Sequence, residues 1–154
     1  DILLKTLPAK DNYPFQLPFH AAFHTPLLEL ISRKAFGLLP QSIFQKPVVP
    51  LVDGRGEIWS PFSTEIEGLY RYTLGHQVTH AYDFSTSITV AMKEFCPDKL
   101  VLLGPGNSLG GAIGQIMIQN NWLDVDSKKS FSSRQKNNPY LISMGMEEQR
   151  KMVC

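Results

Sequence analysis

The chain contains four histidines, arranged as two pairs with the same spacing. His20 and His24 lie in the stretch FHAAFHTPLL, and His76 and His80 lie in GHQVTH. Imidazole binds metals and also transfers protons near neutral pH, so the residue type alone leaves both chemistries open. Neither pair has the H-E-x-x-H form, and Pro26 predicts a helix that begins only after His24. No cysteine or acidic residue stands at a ligand-like offset, so we predict no metal ligands.

Ser108 is a second candidate for chemistry. It lies in GNSLG, between a predicted strand and a predicted helix, and so matches the G-x-S-x-G nucleophile elbow of α/β-hydrolases. In that fold the chain order of the triad is serine, acid, histidine. No histidine follows His80 here, so Ser108 has no downstream base. A turn or helix-entry residue is the favoured interpretation of Ser108.

The elements that must position these side chains alternate between strand and helix. Two apolar runs, Pro47–Leu51 and Lys99–Leu103, predict buried strands of one sheet. The turn Asp53-Gly54 predicts a short return strand after the first run. Predicted helices follow Pro26, with Thr25 as N-cap, and cover about 64–74, 85–95 and 110–122. This alternation predicts an α/β fold, with a parallel-type sheet flanked by helices.

The two ends of the chain have a different composition from the middle. Residues 1–18 are interrupted by prolines and predicted to be extended, and residues 19–123 hold the predicted strands and helices. Residues 124–154 are predicted to be a polar, irregular tail, apart from a short helix near Met146–Met152. Only two or three core strands are evident, too few for a complete doubly wound sheet.

Charge and cysteine usage exclude several classes of protein. Lys plus Arg total 15 and Asp plus Glu total 14, which predicts neither a nucleic-acid partner nor a membrane partner. No apolar run approaches the roughly 20 residues that span a bilayer. Two cysteines, Cys96 and Cys154, provide no disulfide framework, so a cytoplasmic location is expected.

Four segments resemble a known enzyme family. AFHTPLLEL, PVVPLVDG, the segment at Gln77 and LLGPGNSLGGAIGQ occur in the order and spacing of the acyltransferase family. That family includes malonyl-CoA:acyl carrier protein transacylases and the acyltransferase domains of polyketide synthases. Its members show segments like GAFHSPLM, P-V-x-x-N-V-x-G, Q-L-x-x-P-V-x-W and V-G-P-G-x-x-L. The third has diverged here to QVTHAYDF, and the resemblance covers roughly residues 14–118.

The resemblance implies roles for individual residues. His24 corresponds to the catalytic base, whereas His20 falls where the family requires no particular residue. The family's main-chain carbonyl that holds the histidine ring corresponds to Gln77, so its side-chain identity is not needed. Phe23 corresponds to the substrate-selecting position of an H-A-F-H segment, which favours malonyl over methylmalonyl groups. The bland alternative for His24 and Phe23 is a role in core packing.

For the whole chain, the resemblance implies the C-terminal part of the acyltransferase large subdomain, which is α/β-hydrolase-like. Residues 1–18 would end the small ferredoxin-like subdomain or form a linker. The substrates would be malonyl-CoA and the phosphopantetheine thiol of acyl carrier protein, without a separate cofactor.

The family's nucleophile segment, G-H-S-x-G, does not occur in this sequence. The chain should therefore be inactive alone, and it should associate with an N-terminal half or another copy that covers its open faces. The alternative from a different class is a non-catalytic remnant that binds a partner.

Overall fold

Short helices and very short strands form the part of the chain that the computed structural model describes, which is residues 2–11, 14, 15, 21–104 and 108–153. The α-helices are α1 Ile2–Thr6, α2 Glu29–Leu38, α3 Ile66–Arg71, α4 Gln77–Thr79, α5 Phe84–Phe95, α6 Gly110–Gln119, α7 Lys128–Asn137 and α8 Glu147–Arg150. The strands are β1 Leu51–Val52, β2 Ile58–Trp59, β3 Leu100–Leu102 and β4 Leu141–Ser143. Single 3₁₀ turns cover Pro26–Leu28, Gln41–Ile43 and Trp122–Asp124, and a π-helical turn covers Tyr72–His76.

The predicted helices are present, and the mixed α/β class is confirmed. Pro26 begins the 3₁₀ turn that leads into α2, where its missing N–H leaves no helical bond unmade. Thr25 has the extended N-cap conformation, but the prediction that its side chain caps the helix is wrong. Its hydroxyl instead donates a hydrogen bond of 2.7 Å to the carbonyl of Ala22.

The prediction of one sheet containing both apolar runs is wrong. β1 pairs antiparallel with β2 across the Asp53-Gly54 turn, whereas β3 pairs in parallel with β4 in a separate sheet. Most of the run Pro47–Leu51 is not strand, because its two prolines offer no N–H to a ladder and Val48 is 90% exposed. The sheets therefore do not reproduce the subdomain that the resemblance implied.

The hydrophobic core lies in the second half of the chain. Met92, Ile113, Ile116, Met117, Val125, Tyr140 and Leu141 form its fully buried cluster. The prediction of an irregular tail after residue 123 is wrong, because α7 forms there and all three residues of β4 are buried. The short helix predicted near Met146–Met152 is present as α8. β3 thus pairs with β4, and the first apolar run, predicted to lie in the same sheet, does not.

The N-terminal part of the chain needs one correction. Residues 1–18 were expected to be extended, but Ile2–Thr6 form a short helix. In the helical segment that follows Pro26, Leu27, Leu30 and Leu38 are each more than two-thirds exposed. The one residue that α2 buries is Ser32.

Among the residues that the structure describes, no helix is long and apolar enough to span a membrane.

Candidate active site

His24 lies in a turn immediately before the helical segment that Pro26 begins. Its backbone is left-handed, with φ of 58°, which a residue with a Cβ adopts at a cost of about 1–2 kcal/mol. Such backbone strain is concentrated at functional sites, where the surrounding structure holds it. The left-handed turn and the extended Thr25 that follows direct the chain into the 3₁₀ turn. The His24 side chain is solvent-exposed.

The partner of His24 lies at the end of a continuous helical segment, residues 66–79. α3 passes into the π-helical turn and then into the short α4, and the amide of Gln77 donates to the carbonyl of Tyr72, five residues earlier. π-Helical turns are rare and are frequently found at functional sites. Since α4 ends at Thr79 and His80 is extended, the carbonyl of Gln77 has no helical N–H four residues further on.

That carbonyl accepts a hydrogen bond from His24. The distance from Nδ1 of His24 to the carbonyl oxygen of Gln77 is 2.5 Å. Because a carbonyl oxygen can only accept, the proton must be on Nδ1, and Nε2 of the neutral ring keeps its lone pair. The contact predicted between these two residues is confirmed, while their catalytic roles stay predictions.

Tyr82 also packs near the His24 ring, with ring centroids 5.6 Å apart and planes inclined by 44°. Tyr82 itself packs against the Asp53-Gly54 turn so closely that a Cβ on Gly54 would lie 2.5 Å from its ring. Its hydroxyl pairs with the hydroxyl of Ser87 at 3.3 Å. Tyr82 was not predicted as a site residue, although the glycine of the turn indicated that a group approaches the backbone there.

A cavity of about 180 Å³ opens beside the His24 ring. Its lining residues are Phe23, His24, Leu28, Thr73, Gln77 and Val78. The walls are mainly apolar, and the polar residues among them are His24, Thr73 and Gln77. A second cavity of about 150 Å³ also has Thr73 and Gln77 in its wall, together with Tyr82 and the β1–β2 hairpin. The residue predicted to select the substrate, Phe23, therefore lines the same cavity as the predicted base.

A buried carboxylate stabilises the hairpin behind this site. Asp53 is only 4% exposed, and its two oxygens accept hydrogen bonds from the backbone amides of Arg55 and Glu57, the guanidinium of Arg55 and the indole of Trp59. Burial alone would raise the pKa of Asp53. The hydrogen bonds from Arg55 and Glu57 and the charge of Arg55 outweigh burial and hold that pKa below its usual value.

The second histidine pair forms a stack rather than a ligand set. The rings of His76 and His80 lie 4.3 Å apart and nearly parallel, at 9°, and the guanidinium of Arg55 lies over the Tyr72 ring that stacks on His76. Burial, the charge of His80 and the charge of Arg55 lower the pKa of His76. A metal bound by both rings would have to lie in both ring planes, and parallel planes do not meet. Within the described ranges, no group of three or more His, Cys, Asp or Glu residues is arranged to hold a metal ion.

The remaining candidates are not joined to this site. Ser108 lies in the turn before α6, and no histidine of the described ranges forms a hydrogen bond with it. His20, to which the resemblance assigned no role, lies outside the described residues, as does most of the glycine turn before Ser108. The structure thus brings together Phe23, His24 and Gln77, and none of the described histidines forms a hydrogen bond with Ser108.

No protein-family model, curated protein or solved structure matches this chain. The class that the fold defines is a mixed α/β protein, whose described residues form two small sheets, one of them parallel.

Proposed function

We propose that this chain is part of an acyltransferase that moves a malonyl or related acyl group from coenzyme A to acyl carrier protein. His24 acts as general base, and the reaction passes through a seryl ester. The observation that carries the proposal is the hydrogen bond from His24 to the carbonyl of Gln77. It joins two residues 53 positions apart that the family resemblance had paired on the sequence alone. The sheet arrangement gives the proposal no support.

The contact prepares the imidazole for proton transfer. With Nδ1–H bound to a carbonyl, Nε2 is the free base, which is the tautomer that an acid of a catalytic triad would select. The carbonyl belongs to the last turn of a helical segment, where unpaired carbonyls carry partial negative charge. That charge stabilises the imidazolium that forms when Nε2 accepts a proton.

The transfer takes two balanced steps. Nε2 of His24 accepts the hydroxyl proton as the serine oxygen attacks the thioester carbon, and the proton then leaves with the coenzyme A thiol. In the second step Nε2 deprotonates the phosphopantetheine thiol, whose sulfur attacks the seryl ester. The proton returns to the serine oxygen as the ester bond breaks. Because the sequence has no G-H-S-x-G segment, the serine must belong to another polypeptide segment.

Phe23 would shape the acyl group that reaches His24. It lines the cavity beside the imidazole, where the bulk of its ring would crowd an α-methyl substituent. A malonyl group lacks that substituent, so Phe23 favours malonyl over methylmalonyl transfer. Phe23→Ser should therefore raise the ratio of methylmalonyl to malonyl transfer in a complemented enzyme.

The test combines this chain with a separately produced acyltransferase N-terminal half that contains the G-H-S-x-G serine. Transfer of radiolabelled malonyl groups from malonyl-CoA to phosphopantetheinylated carrier protein is measured. We expect no transfer by this chain alone and measurable transfer by the mixture. His24→Ala should reduce transfer by about 10²–10⁴-fold, the usual contribution of a general base.

Two variants serve as controls for the histidine. His80→Ala removes an imidazole from the stacked pair outside the cavity, and His20→Ala removes the neighbouring member of the first pair. Both should retain most of the transfer, and a chelator should have no effect. Equal losses in all three histidine variants, or inhibition by chelator that zinc reverses, would contradict the proposed base.

A second function, binding without catalysis, is favoured by one observation. The outward face of the 3₁₀ turn and α2 exposes the large apolar side chains of Leu27, Leu30 and Leu38. Exposed apolar patches of this kind commonly mark interaction surfaces. If the chain is a non-catalytic half-domain, the wild-type chain and the His24→Ala variant should bind the N-terminal half equally well. Neither mixture should then transfer malonyl groups.

A further inference from the structure

The face of α2 that packs against the π-helical turn is centred on a hydroxyl. Ser32 is 4% exposed and is the one residue that α2 buries. Its hydroxyl donates a hydrogen bond of 2.6 Å to the carbonyl of Leu74, which lies in the middle of the π-helical turn. A serine at this position satisfies a backbone carbonyl in a buried contact, where an apolar residue would leave it without this donor.

One helical turn further along the same face, Phe36 completes the contact. A Cβ on Gly75 would lie 3.3 Å from the Phe36 ring, so the ring rests directly on the backbone of the π-helical turn. Ser32 and Phe36 are four residues apart and therefore lie on one side of α2. Together they fix the separation of α2 from residues 74 and 75.

The contact between Ser32 and Leu74 involves the same two helical segments that carry His24 and Gln77. His24 precedes the 3₁₀ turn that runs directly into α2, and Gln77 follows the π-helical turn that contains Leu74. The His24–Gln77 bond therefore joins the same two segments as the Ser32–Leu74 bond. The strained backbone of His24 requires such support from its surroundings.

We infer that Ser32 is a positioning residue, whose bond to Leu74 holds the Gln77 carbonyl in reach of Nδ1 of His24. The inference rests on the proposed function for its catalytic meaning, but the geometry it concerns can be measured without any acyl transfer. Loss of the Ser32 hydroxyl should free α2 to shift against the π-helical turn. His24 would then lose the acceptor that keeps the proton on Nδ1.

The experiment records long-range ¹H–¹⁵N spectra of the histidine rings in the uniformly ¹⁵N-labelled chain. These spectra distinguish the Nδ1–H from the Nε2–H tautomer, and the His24 signals are assigned from their loss in His24→Ala. We expect the Nδ1–H form in wild type and its replacement by the Nε2–H form as the major species in Ser32→Ala. In Ser32→Thr, which keeps a hydroxyl at this position, the Nδ1–H form should remain the major species.

A matched control and a second variant complete the test. Ser42→Ala removes an exposed serine hydroxyl in the 3₁₀ turn Gln41–Ile43 and should leave the His24 tautomer unchanged. Gly75→Ala replaces a helical glycine with a better helix former but wedges a methyl group against Phe36. It should shift the tautomer in the same direction as Ser32→Ala, and it decides the question if circular dichroism shows that Ser32→Ala does not fold.

The outcomes separate positioning from simple stabilisation. A residue that only stabilises the fold would lower the unfolding midpoint in Ser32→Ala and leave the His24 tautomer unchanged. An unchanged Nδ1–H form in folded Ser32→Ala, or in Gly75→Ala where Ser32→Ala fails to fold, would overturn the inference. If the tautomer shifts while the complemented mixture shows no malonyl transfer, the positioning role stands and the proposed function fails. If the mixture transfers malonyl groups but the His24 tautomer is unchanged in the variants, the proposed function stands and the positioning role of Ser32 fails.

Discussion

The two halves of this molecule are held together in different ways. In residues 84–153, side chains from α5, α6 and β4 form one apolar cluster that includes Met92 and Met117, both without exposed surface. In residues 21–82, Tyr72 and Leu74 are the only hydrophobic side chains that are buried. Four polar residues of that half are buried instead: Ser32, Asp53, Thr64 and Thr79.

The two kinds of contact have different effects, because one mainly sets the stability of the fold and the other sets the positions of particular groups. Apolar burial is non-directional and scales with area, whereas hydrogen bonds to a backbone carbonyl or a buried carboxylate fix particular distances. The half that contains His24 uses directional contacts, such as Ser32 to Leu74 and Asp53 to the hairpin amides. Its large apolar side chains mostly face outward. We therefore expect core substitutions to change global stability and substitutions near His24 to change geometry.

The largest effect is expected for Met117→Ala, which removes a fully buried side chain from the apolar cluster. Deleting a buried methionine side chain costs about 2–5 kcal/mol, because it loses transfer free energy and leaves a cavity. Urea unfolding followed by circular dichroism should show this loss. Leu30→Ala is the matched control, since Leu30 is exposed on α2. A comparable loss in Leu30→Ala would mean that the N-terminal half depends on apolar burial after all.

Asp53→Asn should have the next largest effect, about 1–3 kcal/mol at pH 7, because it removes the charge that the Arg55 guanidinium and the hairpin amides surround. The pH dependence has a defined sign. The pKa of Asp53 is lowered in the folded state, so its contribution is present above the unfolded-state pKa of about 3.9. The contribution is lost as the pH falls through the folded-state pKa.

Urea unfolding of wild type and Asp53→Asn at pH 7, 5 and 3 tests this expectation. The difference in free energy of unfolding between the two proteins should be constant from pH 7 to pH 5 and should narrow below about pH 4. A difference that grows toward acid pH would contradict the assigned direction.

Gly54→Ala should change the surroundings of the His24 ring, with a smaller loss of stability than the two substitutions above. The new methyl group would meet the Tyr82 ring at 2.5 Å, so the ring must move, at a cost of about 1–2 kcal/mol. Because the Tyr82 ring packs against His24, the ring-proton shifts of His24 should change in the NMR spectrum. Gly37→Ala is the control: its Cβ meets nothing within 4 Å, and it should leave those shifts unchanged.

The smallest effect is expected for Val48→Ser. Val48 lies between two prolines outside any strand and is almost fully exposed, so its replacement should change the free energy of unfolding by no more than about 0.5 kcal/mol. Thermal unfolding provides the measurement. A loss of more than about 1 kcal/mol would indicate that the Pro47–Pro50 segment is covered in solution, for example by another chain.

Local signals predicted the helices well. Pro26 marked the start of the segment that contains α2, and the apolar spacing after Gly110 marked α6, because caps and periodicity depend only on neighbouring residues. The buried face of α2 was not predicted. Apolar residues occur on several sides of that helix, and neither their hydrophobicity nor their spacing indicated that Ser32 would be the buried residue.

The pairing of strands that are distant along the chain could not be predicted from the sequence. β4 consists of three residues between a helix rich in polar side chains and a turn, and only its partner β3 makes it a strand. The first apolar run looked more like a core strand, but its prolines offer no N–H to a strand ladder. In the site, the His24–Gln77 contact followed from the family resemblance. The contact with Tyr82 depends on the packing of the Asp53-Gly54 turn, which the residues alone did not specify.

The parallel pairing of β3 with β4 has a consequence for the order of folding. The paired strands are about 40 residues apart, and α6 and α7 lie between them. Closing so long a loop costs conformational entropy before its contacts form, which slows folding. During synthesis the segment with His24 and Gln77 leaves the ribosome well before β4, yet the apolar cluster needs Tyr140 and Leu141 to be complete. His24 and Gln77 are therefore synthesised and exposed before the hydrophobic core of the chain can be complete.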